Sequence, residues 1–303
     1  MKILFATDGS ETAHRALEFV KDFPFPRDSE FTLITIVDKD AFTDEGYHGL
    51  SPEQRASLRE TEDAVREECS ELLVREAQHL RDAGWGGRTI TRSGHPADEI
   101  VRAAEELRAD LVVLGSHGLK GLERYLLGSV SSAVLEYAPC SVLVVRGTHE
   151  GRAADKPLQI LLGYDDSESA KKAVDFCARL PLGEGAKVTA LGVMPLVTLF
   201  RQDIKQHLSW LWHEKKRAAR DALERVVKEV SWTAPDVDYQ LREGSDVAQE
   251  ILRAAKDFDS DLIVLGNKGK SAIEKFLLGT VTKRIARHAP CSVLAVRGSN
   301  AGS

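Results

Sequence analysis

Apolar positions along the chain fall into short continuous runs, separated by stretches in which they recur at helical spacing. Residues 3–6 (Ile3, Leu4, Phe5, Ala6) are followed by Thr7-Asp8-Gly9-Ser10 and read as a buried strand. Ser10 is a suitable N-cap, and Ala13, Ala16, Leu17 and Val20 follow with helical period. Residues 31–37 predict a second strand and residues 62–83 a long helix. Residues 89–91 lie in a short third strand, and Gly94-His95-Pro96 opens a helix carrying Ile100, Ala103, Ala104 and Leu107. Leu111–Gly115 is a fourth strand, residues 128–137 a helix ended before Pro139, and Ser141–Val145 the last strand. Strands apolar on both faces, alternating with helices, predict a parallel sheet covered on two sides. Right-handed crossovers make this an α/β, doubly wound, five-stranded sandwich of order 3-2-1-4-5.

The pattern then repeats. Asp110-Leu111-Val112-Val113-Leu114-Gly115 returns as Asp261-Leu262-Ile263-Val264-Leu265-Gly266, and Ala138-Pro139-Cys140-Ser141-Val142-Leu143 as Ala289-Pro290-Cys291-Ser292-Val293-Leu294, at an offset of 151. The first strands match at an offset of 157, so the first repeat carries six extra residues in its middle. Such self-similarity indicates a duplicated domain. The expected division is domain 1 at 1–147, a polar linker at 148–157, domain 2 at 158–298 and a frayed tail at 299–303. The long helix of the second repeat, about 203–230, carries Leu208, Trp210, Leu211 and Trp212, read as packing or an interface rather than a ligand box.

Composition narrows the function. The 303 residues carry a formal net charge of −6, which argues against nucleic acid as a partner. The N-terminal apolar run is too short for a signal peptide, and no other run approaches membrane length, so no membrane span and a cytoplasmic location are expected. Cys69, Cys140, Cys177 and Cys291 show neither Cys-x-x-Cys nor zinc spacing and read as buried residues of a reducing compartment.

The chemistry concentrates in one loop. Gly115-Ser116-His117-Gly118 is followed by nine residues and Gly128-Ser129; the second repeat has Gly266-Asn267-Lys268-Gly269, nine residues and Gly279-Thr280. Each loop leaves the carboxyl end of a buried strand and ends at a helix start, where ligands of open α/β sheets sit. Glycines let a ligand approach the backbone, and helix N-H groups bind anions. Ser129 and Thr280 can add hydroxyls. Across the sheet, Asp8 and Asp165 can accept from ribose hydroxyls or an adenine amino group, and Val37 and Val193 can offer backbone groups to an adenine edge. Two plainer readings stand beside these: the glycines only make turns, and the aspartates only cap the first helices. Neither a Walker A sequence nor Gly-x-Gly-x-x-Gly occurs, and no hydrolytic or metal constellation stands out.

These residues resemble the universal stress protein family, in its ATP-binding branch, known by Gly-x-x-Gly, nine residues, Gly-Ser/Thr. The first-strand Asp, Gly94-His95-Pro96 and the Ala-Pro-Cys-x-Val-Leu ending add to the likeness, which covers nearly the whole chain. The resemblance implies adenine contacts from Asp8 and Val37, with Gly115 and His117 near the ribose. It puts a triphosphate, ATP with Mg²⁺, on Gly118, Gly128, Ser129, Val130 and Ser131. The matching positions of the second repeat are Asp165, Val193, Gly266, Lys268, Gly269, Gly279, Thr280, Val281 and Thr282. That repeat departs at Gly244-Ser245-Asp246-Val247, with no Pro and one inserted residue. The implied role is a nucleotide-dependent stress-response regulator with an unknown protein partner, at most a slow ATPase. A true ATPase or nucleotidyl-transfer enzyme, or a module binding a lipid or partner protein, stays open.

The last strand of each repeat is apolar, and bare apolar edges invite pairing. Family likeness implies that the two repeats pair through these strands as an intramolecular pseudo-dimer, leaving open a further homodimer. Residues 1–147 expressed alone are then expected to dimerise; a stable monomer at micromolar concentration in light scattering is the contrary result.

Overall fold

A computed structural model describes residues 1–38, 51–118, 127–146, 156–195, 202–269 and 278–298, with the backbone alone over 202–209. The expected linker, apart from Lys156 and Pro157, and the expected tail lie outside the described residues, as does most of the stretch between the paired glycines of each loop. The chain separates into two compact units that meet in sequence at Arg146 and Gly147.

Unit 1 runs β1 (Lys2–Ala6), α1 (Glu11–Asp22), β2 (Glu30–Asp38), α2 (Pro52–Asp82), β3 (Gly87–Gly94), α3 (Pro96–Glu106), β4 (Leu111–Gly115), α4 (Ser129–Tyr137) and β5 (Ser141–Val145). All pairings are parallel, in the order β3-β2-β1-β4-β5. Strands β1, β4 and β5 are buried almost throughout, as the continuous apolar runs predict. Helices α1 and α2 pack together, as do α3 and α4, so the sheet is covered on both faces. Ser10 caps α1 by accepting from the Ala13 N–H, and Ala13, Ala16, Leu17, Phe19 and Val20 form its buried face.

Two elements are longer than the sequence pattern suggests. Helix α2 starts at Pro52, ten residues before the expected 62, because Ser51 and Gln54 form a capping box and Pro52 takes the first turn. Its first turns are exposed, so they carry no apolar stripe. Strand β3 extends over eight residues. Its polar side chains suit an edge strand held by main-chain pairing to β2 rather than by burial.

Unit 2 runs β6 (Leu158–Gly163), α5 (Glu168–Ala178), β7 (Ala186–Pro195), α6 (Gln202–Val230), β8 (Asp236–Gly244), α7 (Val247–Asp257), β9 (Leu262–Gly266), α8 (Thr280–His288) and β10 (Ser292–Val296). Its own strand order is β8-β7-β6-β9-β10, again parallel. The register shows seven fewer residues between β7 and β8 than between β2 and β3, and one more before α7. Trp210 on α6 is exposed rather than packed, and so is Trp232 beyond it. Leu208 lies outside the described side chains. The cysteines are free: Cys140, Cys177 and Cys291 are buried, Cys69 is half-buried, and burial pushes the Cys177 thiol up to about 12. Among the described residues no helix is long and apolar enough to cross a membrane.

Candidate nucleotide site at the strand ends

In unit 1 the candidate residues gather at the carboxyl ends of β1 and β4. The first turn of α1 lies so close to the end of β4 that a Cβ on Gly115 would sit 2.9 Å from the Thr12 carbonyl carbon. Glycine is required there by packing, whatever a ligand needs. In unit 2 the same helix turn places the Ser169 carbonyl carbon 2.5 Å from the Cβ position of Gly266. The loop beyond is tied down at both ends: Ser116 N–H donates to the Val145 carbonyl at 2.9 Å, and Gly128 N–H to the Ser116 carbonyl at 2.8 Å. Asn267 and Gly279 repeat both bonds, to Val296 at 2.9 Å and to Asn267 at 2.7 Å. The Thr12 hydroxyl donates to the His117 carbonyl.

Asp8 is not the cap of α1, since Ser10 holds that place. Its Oδ1 accepts from the Ser10 N–H at 3.0 Å, and its Oδ2 lies 2.5 Å from where a Gly118 Cβ would be. Asp165 does the same in unit 2: Oδ1 accepts from the Ser167 N–H at 3.1 Å, and Oδ2 lies 3.1 Å from the Cβ position of Gly269. A carboxylate therefore faces the second loop glycine in each unit. Asp8, Gly118, Asp165 and Gly269 are all exposed.

Gly128 and Gly279 are the N-caps of α4 and α8, and neither helix has a side-chain cap. The N–H groups of Ser129, Val130 and Ser131, and of Thr280, Val281 and Thr282, stand at those uncapped first turns, the positive end of the helix dipole. The hydroxyls differ. Ser131 Oγ is buried and donates to the Gly115 carbonyl at 2.8 Å, and Thr282 Oγ1 to the Gly266 carbonyl at 2.9 Å. These two side chains lock helix to strand, which leaves only their N–H groups for a ligand. Ser129 and Thr280 are the exposed hydroxyls.

His117 and Lys268 hold equivalent places and differ in charge. Burial, and then the Arg146 guanidinium, hold the His117 imidazole below its ordinary value, so it is neutral near pH 7. Its Nδ1 is 3.0 Å from Ser116 Oγ, while its buried Nε2 has no hydrogen-bond partner among the described residues.

One expected correspondence is corrected. Val37 is buried in β2, three residues beyond Ile34, which pairs with Ala6. The matching pair in unit 2 is Gly163 with Leu191, so the counterpart of Val37 is Met194, also buried. Val193 occupies the place of Ile36, on the other face of the strand. Matching by residue type slipped the strand by one residue, and such a slip reverses the face.

Sequence reasoning missed Glu76. It sits on α2 in the same stripe as Leu73, Ala77 and Leu80, and that position was the available signal. The Thr7 hydroxyl donates to its Oε1 at 3.0 Å, and its Oε2 is buried without a partner among the described residues. Burial is the main reason that its carboxyl is pushed up to about 7; the Thr7 bond opposes this and nearby Asp8 adds to it. Unit 2 has Tyr164 in place of Thr7, and the buried face of α6 includes Ala222, Leu223, Val226 and Val230.

A sequence profile of the universal stress protein family matches residues 1–146 and again 158–297. The chain belongs to the universal stress protein family. Universal stress protein MJ0531 of Methanocaldococcus jannaschii is 38% identical over 149 residues, 48% of this chain and 81% of that protein. A universal stress protein from Archaeoglobus fulgidus shares the fold over 99% of this chain and 97% of its own, with a TM-score of 0.64 and 19% identity. A universal stress protein in complex with cAMP matches 48% of this chain and 94% of its own, with a TM-score of 0.33 and 21% identity.

Glu76 sets a pH dependence for unit 1. In the unfolded chain its carboxyl ionises near 4.5; in the folded protein it holds its proton to about 7. Between those values the folded state binds more protons, so stability falls as pH rises, by on the order of 3 kcal/mol in total, and levels off above 7. Glu76→Gln keeps an acceptor for Thr7 and is expected to flatten this slope in denaturant titrations between pH 5 and 8. An unchanged slope would contradict the assignment.

Proposed function

We propose that each unit binds ATP, with Mg²⁺, at the carboxyl ends of its strands, and that the chain acts as a nucleotide-dependent regulator in the stress response. The observation that carries this reading is the uncapped first turn of α4 and of α8, each preceded by a Gly-x-x-Gly loop faced by an aspartate. A helix start without a side-chain cap suits a phosphate, which supplies both the missing acceptors and the negative charge. In unit 1 the phosphates would take the N–H groups of Ser129, Val130 and Ser131 and the Ser129 hydroxyl, beside Gly118 and Gly128. Asp8 and the main chain at Val37 would hold the adenosine end. His117, through its Nε2, which has no partner among the described residues, would give or take one hydrogen bond there. In unit 2 the same roles fall to Thr280, Val281, Thr282, Gly269, Gly279, Asp165, Lys268 and the main chain at Met194. Mg²⁺ would reach the site on the phosphates and supply charge neutralisation.

The same geometry supports binding over catalysis. Glu76, the carboxyl pushed up to about 7, is buried and already accepts from the Thr7 hydroxyl. The wall at Gly115 and Gly266 is backbone on backbone, which suits a rigid cradle.

Mg-ATP at a hundredfold excess over Kd is expected to add about 2.7 kcal/mol of stability, and GTP less, because fixed backbone groups read the purine edge. Isothermal titration of single variants divides the sites. Gly128→Glu adds a carboxylate at one helix start and Gly279→Glu at the other, so each is expected to remove one of two ATP equivalents. Asp8→Ala loses hydrogen bonds without adding a clash and is expected to weaken unit 1 more mildly. Two ATP retained by a double glutamate variant with a native circular dichroism spectrum would end this reading.

A further inference from the structure

Outside the strand ends, unit 1 brings together two histidines and a glutamate on its helical face. His14 and Glu18 lie one turn apart on α1 and therefore project on the same side. Helix α2 packs against α1 and presents His79 there. One ligand atom from each of the three residues lies within 4.8 Å of the other two. The imidazoles of His14 and His79 stand edge-on, at 67° with centroids 6.2 Å apart, rather than stacked.

We propose that His14, Glu18 and His79 bind one divalent transition-metal ion, zinc in class, that clamps α1 to α2. Zinc bonds of about 2.0–2.2 Å to nitrogen and oxygen place tetrahedral ligand atoms about 3.4 Å apart. The cluster reaches that spacing by roughly 1 Å of side-chain movement, and all three residues are exposed and able to make it. Two imidazoles and a carboxylate are three protein ligands, leaving a fourth position for water. That set selects zinc, nickel or copper over Mg²⁺, which takes oxygen ligands in octahedral geometry. The site is therefore chemically separate from any ion carried by a nucleotide.

Two local charges bear on the affinity. Lys21 Nζ lies 2.9 Å from Glu18 Oε2, an exposed pair of small worth that a dication would displace. His79 stands in the last turn of α2, where the negative end of the helix favours a cation. Unit 2 has no equivalent: Lys171 and Asp175 take the places of His14 and Glu18, and Lys171 pairs with Glu168 at 2.8 Å. The expected stoichiometry is one ion per chain.

The test is a zinc titration of the full chain, freed of metal and nucleotide, against a competing chromophoric chelator. The expected result is one zinc per chain with a dissociation constant in the micromolar range or below. His14→Ala and His79→Ala are each expected to weaken it about tenfold or more, and Glu18→Gln less. Cobalt in place of zinc should show d–d bands without the strong near-ultraviolet absorption that a thiolate ligand brings. Circular dichroism checks the folding of each variant, and His14→Gln serves as a second, bulk-preserving substitution. Zinc binding unchanged in the His14/His79 double variant, thiolate absorption in the cobalt form, or no binding at micromolar zinc would each overturn the site.

Discussion

The contact on which the site depends is backbone on backbone. The first turn of α1 rests against the end of β4 with no room for a Cβ at Gly115, and α5 does the same at Gly266. Because that distance is set by main-chain atoms, it cannot relax by a rotamer change. It fixes where the loop after the strand begins, and so where Asp8 and Gly118 meet. The hydroxyl of Ser131, or of Thr282, then ties the next helix to the same glycine carbonyl. Strand end, first helix turn and uncapped helix start thus form one rigid unit in each repeat.

Around this shared frame the two repeats differ in charge. Unit 1 puts a neutral imidazole, His117, where unit 2 puts the cation Lys268. Behind the strand end, unit 1 buries a carboxyl against Thr7, while unit 2 has Tyr164, whose hydroxyl donates to Asp166 and is pushed up to about 12, mostly by burial. Between pH 5 and 8, Glu76 changes charge and Tyr164 does not. The duplication therefore holds two frames of the same shape with different electrostatic responses. Ser245 is the inserted residue of unit 2, and Asp246, at the N-cap place that His95 holds in unit 1, serves locally. It caps α7 by accepting from the Gln249 N–H and pairs with Arg284 on α8 at 2.5 Å. Where unit 1 has His95 without a side-chain cap followed by Pro96, unit 2 has a side-chain cap and a cross-link to α8.

Much of this was legible in the residues. Parallel strands announce themselves by continuous apolar runs, and a duplication announces itself by repetition, so element order and sheet class followed from the chain. The loop glycines were found for a partial reason. Their spacing points to a ligand, yet Gly115 and Gly266 are also required by packing, and sequence cannot separate the two demands. The start of α2 was missed because its cap, Ser51 with Gln54, precedes an exposed stretch with no apolar period. Val193 was misplaced because valine resembles valine, whereas strand register counts residues and not types.

Glu76 and the His14–Glu18–His79 group share a different reason for escaping notice. Each depends on two segments meeting that lie far apart in sequence, β1 or α1 with α2. A glutamate in a charged helix reads as surface until the stripe of Leu73, Ala77 and Leu80 is seen to turn it inward. A histidine on an exposed face reads as solvated until another helix brings a second one within reach. Both outcomes follow from how α2 lies over unit 1. The same helix, by its rotation about its own axis, buries Glu76 toward the strand end and turns His79, three residues on, out toward His14. Three residues advance a helix by about 300°, so the two side chains lie about 60° apart around its axis. That separation is enough for one helix to close the floor behind the candidate nucleotide site and to complete a metal site at its margin.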